Sequence, residues 1–412
     1  MGMETNEGSD GRAELKLGVH LFLVDAATLL HRYGTPSHRL ERVMAKVSKT
    51  LGVEGIFLYT PTALIISLKD DTGEKTFMRR VDSGAIQVDK LIGFDEVLER
   101  LEDGAVDVAT ASKQLHEVAS APPPFSAWVT AIACAILCGT IAVFFRGNLI
   151  EVCLATFLGF IIAMMEMLHA KLGGERGMLE PLAGFAASIS SLSIAHWLVP
   201  HDDRLVTLAA LIVILPGLQL TISLTELAVG HLSAGVARLA GACVSLLTLT
   251  VGVAIAWRIG APLRNLPESP EWIISENWQW VALMIAPITF SILFRARFAQ
   301  WPIIVAVSIS GFLVSRYAGI YGIEVGAFFG ALVVGCLSNL YARIRNRPAM
   351  VPLTPGIIML VPGSVGYRSL TAMLDHQTIQ GIDFAFSMMI LGVSIVGGVL
   401  TANAIMPPKR IL

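Results

Sequence analysis

A polar motif built around a Pro-Gly pair occurs twice inside apolar segments of the chain, at positions that differ by 146. The first copy consists of Leu215, Pro216, Gly217, Ser223, Leu224, Thr225 and Gly235, and the second of Val361, Pro362, Gly363, Ser369, Leu370, Thr371 and Gly381. Because proline interrupts a helix and leaves carbonyl and amide groups without partners, each copy could hold a small polar solute at the break.

The half-helix that follows each break would attract a carboxylate with its positive end. Hydroxyl and amide groups nearby could bind the other polar groups of a small hydroxylated or zwitterionic solute. The positions that we predict to bind substrate are Pro216, Gly217, Gln219, Thr221, Ser223, Thr225, Pro362, Gly363, Ser364, Ser369 and Thr371, with Arg368 as a further anion contact. Alternatively, each Pro-Gly pair is a packing kink whose free groups are satisfied by neighbouring helices.

Two carboxylates lie in apolar segments and could carry a proton. Glu166 follows an apolar run, and Glu226 comes ten residues after Pro216. A charge at the bilayer centre costs roughly 3 kcal/mol, and burial favours the protonated carboxyl. We therefore predict that Glu226 or Glu166 couples transport to protons, and that Arg238 pairs with Glu226. The alternative places both carboxylates at the membrane surface, with Arg238 reaching the lipid headgroups.

The composition is that of an integral membrane protein. Of the 412 residues, 54% are hydrophobic and only 15% are charged, which is far from the composition of an average soluble domain. The net charge of -2 provides no basic surface for nucleic acid. The five cysteines lie in apolar segments, no histidine group has ligand spacing and no nucleotide-binding loop is present. We predict no disulfide, no metal site and no cofactor.

The chain divides into a soluble and a membrane part. Residues 1–13 are predicted to be a disordered tail, residues 14–121 a cytoplasmic α+β domain, and residues 122–125 a proline-rich linker. The α+β domain is predicted to contain two helices, three strands and two further helices. A first five-helix membrane repeat is predicted at 126–260 and a second at 277–406.

Ten segments of the membrane part are long enough to cross a bilayer. They are 126–145, 149–169, 178–200, 204–228, 234–257, 277–294, 298–316, 323–343, 349–369 and 382–406. Because each copy has an odd number of crossings, the second must enter the membrane from the opposite face. The predicted fold is therefore an α-helical polytopic membrane protein of ten transmembrane helices, arranged as two inverted repeats of the kind found in secondary transporters. Lysine and arginine are modestly enriched in the loops on one face, which predicts that both termini are cytoplasmic.

The order of domains and several motifs also match a known family. The matching residues are Gly34, Ser37, Arg39 and Glu41, the strand around Thr60 and Arg79, and the membrane motif of Pro216, Gly217, Ser223, Thr225, Gly235 and Arg238. With these residues the chain resembles the bacterial threonine/serine exporter family from about Leu15 to Met406. The resemblance implies export of threonine and serine across the cytoplasmic membrane, driven by the proton motive force. It also leaves room for dicarboxylates such as succinate.

The function we predict is secondary active export of small amino acids, coupled to protons. The expected partners are threonine, serine or a small carboxylate, protons and membrane lipid, but no nucleic acid. Three alternatives remain open at this point, namely a dicarboxylate exporter, a membrane-embedded hydrolase that uses the soluble domain, and a passive channel. The sequence leaves the oligomeric state open, a homo-oligomer included.

Overall fold

The N-terminal part of the chain folds into a helical domain with one small sheet. The computed structural model describes residues 7–71, 73–82, 84–174, 177–263, 275, 277–360 and 363–409. The domain contains α1 (Glu7–Arg32), α2 (Ser37–Thr50), β1 (Glu54–Thr60), β2 (Ala63–Asp70), β3 (Gly73–Arg80), α3 (Val88–Glu102) and α4 (Val108–Ser120). This is the predicted order of helices and strands.

The sheet is antiparallel, in the order β1-β2-β3. Strand β2 buries Leu64, Ile66 and Leu68 at alternating positions, as expected for a strand with one face on a core. These side chains share a buried cluster with residues of α1, α2 and α3, and the cluster continues into the membrane part through Ile304 and Met350. The N-terminal domain is therefore packed directly on the membrane helices.

The first helix begins earlier than the sequence analysis predicts. We expected a disordered tail over residues 1–13, but α1 begins at Glu7, so the prediction is wrong for residues 7–13. Glycine and serine in this stretch lower the helix propensity. Extending an existing helix nevertheless costs less than starting one, so the segment from residue 14 onward can propagate into it. Residues 1–6 lie outside the described part of the chain.

The membrane part consists of twelve further α-helices in the described residues. They are α5 (Ala127–Phe144), α6 (Leu149–Leu172), α7 (Leu179–Trp197), α8 (Asp203–Leu211), α9 (Gly217–Ala228), α10 (Leu232–Ile259), α11 (Asn277–Leu293), α12 (Trp301–Ala318), α13 (Ile323–Arg345), α14 (Met350–Ile358), α15 (Gly363–Leu374) and α16 (Thr378–Ile405).

Seven segments of the described chain are long and apolar enough to cross a membrane. They are Ala127–Phe144, Leu149–Leu172, Leu232–Ile259, Phe298–Tyr321, Ile323–Arg345, Met350–Leu374 and Thr378–Ile405. The chain is therefore a multi-pass membrane protein. The other three predicted crossings correspond to α7, to α8 followed by α9, and to α11, which is a shorter apolar helix.

The last three helices of each half of the membrane part have matching lengths. Helices α8 and α14 each have 9 residues, α9 and α15 each have 12, and α10 and α16 each have 28. The packing also corresponds. A Cβ atom on Gly235 would lie 2.7 Å from Leu227 Cγ, and one on Gly381 would lie 2.5 Å from Met373 Cγ. Both glycines of the duplicated motif thus allow the short and the long helix to approach closely.

We call the end of the membrane part that meets the N-terminal domain the domain face. At this face the N–H of Val88 donates to the Phe294 carbonyl at 2.9 Å, and Asn346 Nδ2 donates to Glu99 Oε1 at 2.6 Å. Helix α10 starts at the same face, where His231 Nδ1, just before the helix, lies 3.5 Å from Glu41 Oε2 of the N-terminal domain. The helix is about 42 Å long for its 28 residues. Its far end therefore marks the opposite end of the membrane part, which we call the distal face.

Residues at the distal face contact one another. Trp257, near the end of α10, has Arg204 over its ring at 5.3 Å from the centroid, and Arg204 Nη1 lies 2.6 Å from Asp375 Oδ2. Helix α9 therefore ends at the domain face, close to the start of α10, whereas α15 ends at the distal face, beside Arg204.

Candidate functional site

The two helix interruptions meet inside the membrane part. Helix α8 ends at Leu211 and α9 begins at Gly217, while α14 ends at Ile358 and α15 begins at Gly363. A Cβ atom on Gly363 would lie 3.1 Å from the Cα atom of Gly217. The starts of two half-helices are thus in contact. Pro216 is the N-cap residue of α9, and Pro362 lies outside the described residues.

The hydroxyl groups of the motif donate to backbone carbonyls of the short helices or their neighbours. Thr221, Thr225 and Thr371 each donate to the carbonyl four residues before them, and Ser223 donates to Leu220 at 2.7 Å. Ser369 Oγ donates to the carbonyl of Gly381 at 2.7 Å and so ties α15 to α16. The hydroxyl oxygens can still accept hydrogen bonds from a ligand, but the hydroxyl protons are already donated to backbone carbonyls. Of the other predicted contacts, Gln219 is exposed and Ser364 is half-buried.

Glu226 is held by three donors at the domain face. Its side chain is fully buried, the N–H of Ser37 donates to Oε1 at 3.0 Å, and Arg238 Nε donates to Oε2 at 3.1 Å. Arg238 Nη2 also lies 3.4 Å from Oε1. The structure thus brings Glu226 and Arg238 together as an ion pair. We call Glu226, Arg238 and the Ser37 amide the Glu226 cluster.

The sequence around Ser37 explains why its amide is available. Gly34 has φ of +91° and ends α1, and Pro36 is the N-cap residue of α2 without a side-chain cap. The first amides of a helix have no partner within the helix and favour negative charge. Glu226, 189 positions away, supplies the missing cap. The N-terminal domain is therefore attached to the carboxylate that the sequence analysis selected.

Polar side chains buried in the N-terminal domain surround this attachment. The atoms without a hydrogen-bond partner among the described residues include His31 Nδ1, Thr35 Oγ1, Ser37 Oγ, His38 Nδ1 and Tyr59 Oη. Burial lowers the pKa of His31, and burial with nearby Arg39 and Arg42 lowers the pKa of His38 to about 2. Both histidines are therefore neutral in the folded protein near neutral pH.

We expect the folded protein to lose stability as the pH falls below about 6.5, in part because His38 must remain neutral in the fold. Between pH 6.5 and about 2 the unfolded chain binds more protons at this position, so the free energy of unfolding decreases as the pH decreases. The slope is at most about 1.4 kcal/mol per pH unit and per histidine. Thermal unfolding between pH 7.5 and 5.5 should shift less in His38→Gln than in the wild type. His116→Gln, at an exposed position, is the control, and identical pH dependence in wild type and His38→Gln would contradict the prediction.

Glu166 lies in a different environment from Glu226. It is exposed on α6 and has no hydrogen bond or ion pair within the described ranges. Of the two carboxylates predicted to carry a proton, only Glu226 has polar partners in the described residues. In the described part of the chain, no group of three or more His, Cys, Asp or Glu side chains could hold a metal ion.

A cavity of about 340 Å³ opens at the distal face. Its lining includes Arg204, Tyr367, Arg368, Thr371 and Asp375. The cavity therefore contains two of the residues predicted to bind substrate, Arg368 and Thr371. The guanidinium of Arg368 lies over a phenylalanine ring, with Cζ 4.9 Å from the centroid of Phe145.

The sequence analysis missed the backbone amide of Ser37 at Glu226, the contact of Glu41 with His231 and most of the cavity lining. Ser37 and Glu41 stood out only through the family resemblance. Arg204 and Asp375 lie at helix ends, where charged residues usually indicate the membrane surface. A signal was nevertheless present, because the repeat predicted from the sequence makes positions that differ by 146 equivalent. Ala372 and Phe384, which line the cavity, correspond in this way to Glu226 and Arg238.

Two family models match the chain. The model described as "Putative threonine/serine exporter" matches residues 21–260, and the model described as "Threonine/Serine exporter, ThrE" matches residues 279–405. Together they include the N-terminal domain and both halves of the membrane part.

Curated relatives of the chain are found in fungi. An uncharacterized protein of Schizosaccharomyces pombe is 26% identical over 375 residues, which are 85% of this chain and 49% of the relative. Pheromone-regulated membrane protein 10 of Saccharomyces cerevisiae is 25% identical over 379 residues, 87% of this chain and 49% of the relative. The chain thus spans about half the length of these relatives. No solved structure matches the chain.

Proposed function

Because the chain belongs to the threonine/serine exporter family, we propose that it is a secondary active exporter of the small amino acids threonine and serine, coupled to protons. The observation that carries this proposal is the meeting of two interrupted helices, with Gly363 against Gly217. Broken helices in corresponding positions of two halves form the substrate site of many secondary transporters. Their amide ends suit a carboxylate, and the hydroxyl oxygens nearby suit a hydroxylated amino acid.

The matching helix lengths in the two halves support an inverted repeat of ten crossings. Helix α9 ends at the domain face and α15 ends at the distal face, although they occupy the same place in the order of their halves. Opposite directions for equivalent helices are what an inverted repeat requires. The short pairs α8 with α9 and α14 with α15 would each make one interrupted crossing, and α7 and α11 would make two of the remaining ones.

The charge distribution supports a cytoplasmic N-terminal domain. Arginine and lysine residues lie in loops and helix ends on the domain face, namely Lys171, Arg295, Arg297, Arg343, Arg345, Arg347 and Lys409. Positively charged loops favour the cytoplasm. The domain face would therefore be the inner face, both ends of the chain would be cytoplasmic, and a bacterial cytoplasmic membrane remains our proposal for the location.

The Glu226 cluster supplies a mechanism for coupling. In its ionised form Glu226 accepts from Arg238 and from the first amide of α2, and these bonds hold the N-terminal domain over the inner face. A proton on Glu226 would weaken both bonds, because charge-assisted hydrogen bonds are about twice as strong as neutral ones. Glu226 lies about 14 Å along α9 from the break at Gly217, so the ammonium group of a substrate would compete with a proton for this carboxylate before or after the substrate occupies the breaks. Mutually exclusive binding of this kind exchanges an outgoing amino acid for an incoming proton.

A proteoliposome assay tests the proposed function. Vesicles that contain the full-length protein and labelled threonine should release the label faster when an inward proton gradient is imposed, and the rate should saturate with threonine. Succinate-loaded vesicles form a second arm for the dicarboxylate alternative. Threonine release that ignores the pH gradient would remove proton coupling, and flux that does not saturate would favour the passive channel.

A further inference from the structure

The cavity at the distal face and the Glu226 cluster at the domain face are lined by residues at equivalent positions of the two copies. Ala372 and Phe384 stand at the positions equivalent to Glu226 and Arg238, so neither the carboxylate nor the guanidinium of the cluster is repeated. The small side chain of Ala372 leaves space at the distal face, whereas the larger side chain of Glu226 fills the equivalent space at the domain face. The volume of about 340 Å³ falls within the range of roughly 300 to 1,000 Å³ for small-molecule sites.

Arg368 brings an available positive charge to this cavity. It is exposed there and makes no ion pair with any described residue, and its contact is with the face of the Phe145 ring at 4.9 Å. The ring holds the guanidinium in position but leaves most of its N–H groups available to donate hydrogen bonds. A guanidinium with free donors binds a carboxylate through two parallel hydrogen bonds. Arg368 therefore suits the carboxylate group of a ligand in the cavity.

Tyr367 is a second and independent indication of a ligand. Its side chain lines the cavity, is only 3% exposed, and has a hydroxyl without a hydrogen-bond partner among the described residues. A buried hydroxyl in this condition is destabilising, and native proteins nearly always supply a partner. An oxygen atom of a bound solute would satisfy it.

The two carboxylates of the cavity, Asp202 and Asp375, differ in the partners that they already bind. Asp202 Oδ1 accepts from the amides of Arg204 and Leu205 and serves as the N-cap of α8. Asp375 instead pairs with the Arg204 side chain at 2.6 Å, and that arginine side chain is 50% exposed. The Asp375 side chain is only 12% exposed, so the partner that can move into solvent is Arg204. An ammonium group could then take the place of the guanidinium on Asp375.

We propose that the distal cavity binds a small α-amino acid, with its carboxylate on Arg368, its ammonium on Asp375 and a further oxygen on the Tyr367 hydroxyl. This inference rests on the proposed function, because it makes the cavity the site from which the exported amino acid leaves. The charge pattern fits a zwitterion better than a dicarboxylate, since a second carboxylate would lie against Asp375.

Equilibrium binding of labelled threonine to the full-length protein in nanodiscs tests the site. Arg368→Gln should raise the Kd at least tenfold, and Asp375→Asn should weaken threonine more than succinate. Tyr367→Phe should raise the Kd severalfold without lowering the unfolding temperature of the ligand-free protein, because it removes a hydroxyl that has no partner. Arg258→Gln, an exposed arginine near the distal end of α10 and outside the cavity lining, is the control and should leave the Kd within twofold.

The outcomes separate this inference from the proposed function. Wild-type affinity in both Arg368→Gln and Tyr367→Phe, in a protein that exports threonine, would overturn the cavity site alone. Succinate that binds more tightly than threonine would overturn the zwitterion assignment. Absence of threonine and serine transport by the wild type in proteoliposomes would overturn the function itself, and the release site with it.

Discussion

Glu226→Gln should abolish the response of threonine export to a proton gradient and reduce gradient-driven flux at least tenfold. The amide keeps the shape of the carboxylate but cannot take up a proton, so the exchange of amino acid for proton fails. It also removes the carboxylate that pairs with the guanidinium of Arg238, which is only 11% exposed. Breaking a buried ion pair from one side destabilises a protein by about 3 to 5 kcal/mol. Proteoliposome flux with and without a pH gradient, together with thermal unfolding, measures both effects.

Two further variants separate coupling from stability. Glu226→Gln combined with Arg238→Gln replaces both members of the ion pair by neutral amides, so it should recover most of the stability and none of the proton coupling. Glu166→Gln changes the other candidate carboxylate, which has no polar partner in the described ranges, and should keep the gradient response. Loss of the response in Glu166→Gln, together with its retention in Glu226→Gln, would show that Glu166 carries the proton and would contradict our assignment to Glu226.

Gly363→Val should reduce threonine transport at least tenfold while the protein still inserts and folds. A Cβ atom at this position would lie 3.1 Å from Gly217 Cα, which is tighter than ordinary van der Waals contact, and 3.4 Å from Gly217 N. The two further methyl groups of valine would push the starts of α9 and α15 apart and distort the site between them. Overpacking of this kind typically costs about 1 to 3 kcal/mol, which need not unfold the protein. Initial transport rates, normalised to folded protein by size-exclusion chromatography, give the comparison.

A graded series with a matched control makes this prediction specific. Gly363→Ala should show a smaller loss than Gly363→Val, because alanine requires a shift of only a few tenths of an ångström. Gly241→Val is the control, since a Cβ atom there meets no atom within 4 Å. A wild-type rate in Gly363→Val would mean that the contact between the two breaks does not form part of the transport site.

The interruptions could be predicted because their signal is local. Proline and glycine at 216 and 217 change the backbone wherever they stand in a helix, and the second copy at the same spacing removed most of the ambiguity. The strands of the N-terminal domain were also readable, since Leu64, Ile66 and Leu68 alternate along β2. The start of α1 was not readable, because glycine-rich composition suggested a tail while the neighbouring helix extended into it.

Contacts between distant parts of the chain were beyond the reach of pattern reasoning. Ser37 and Glu226 are 189 positions apart, and neither the cap of α2 nor the position of the N-terminal domain over the membrane is encoded in a local period. Arg204 and Asp375 likewise looked like ordinary surface residues at two helix ends until the fold placed them 2.6 Å apart. Arg238 was the exception, because a separation of twelve positions across one short loop is close enough to guess.

The most direct test of the account compares Thr225 and Thr371, which occupy the same position in the two copies of the sequence motif and are both half-buried. Each is changed to cysteine in a variant without the five native cysteines and labelled in sealed vesicles of known orientation with a membrane-impermeant maleimide. We predict that Thr371→Cys reacts only from the outer face, through the distal cavity, and that any reaction of Thr225→Cys comes only from the inner face. Reaction of both positions from the same face would contradict the inverted arrangement and the transport mechanism built on it.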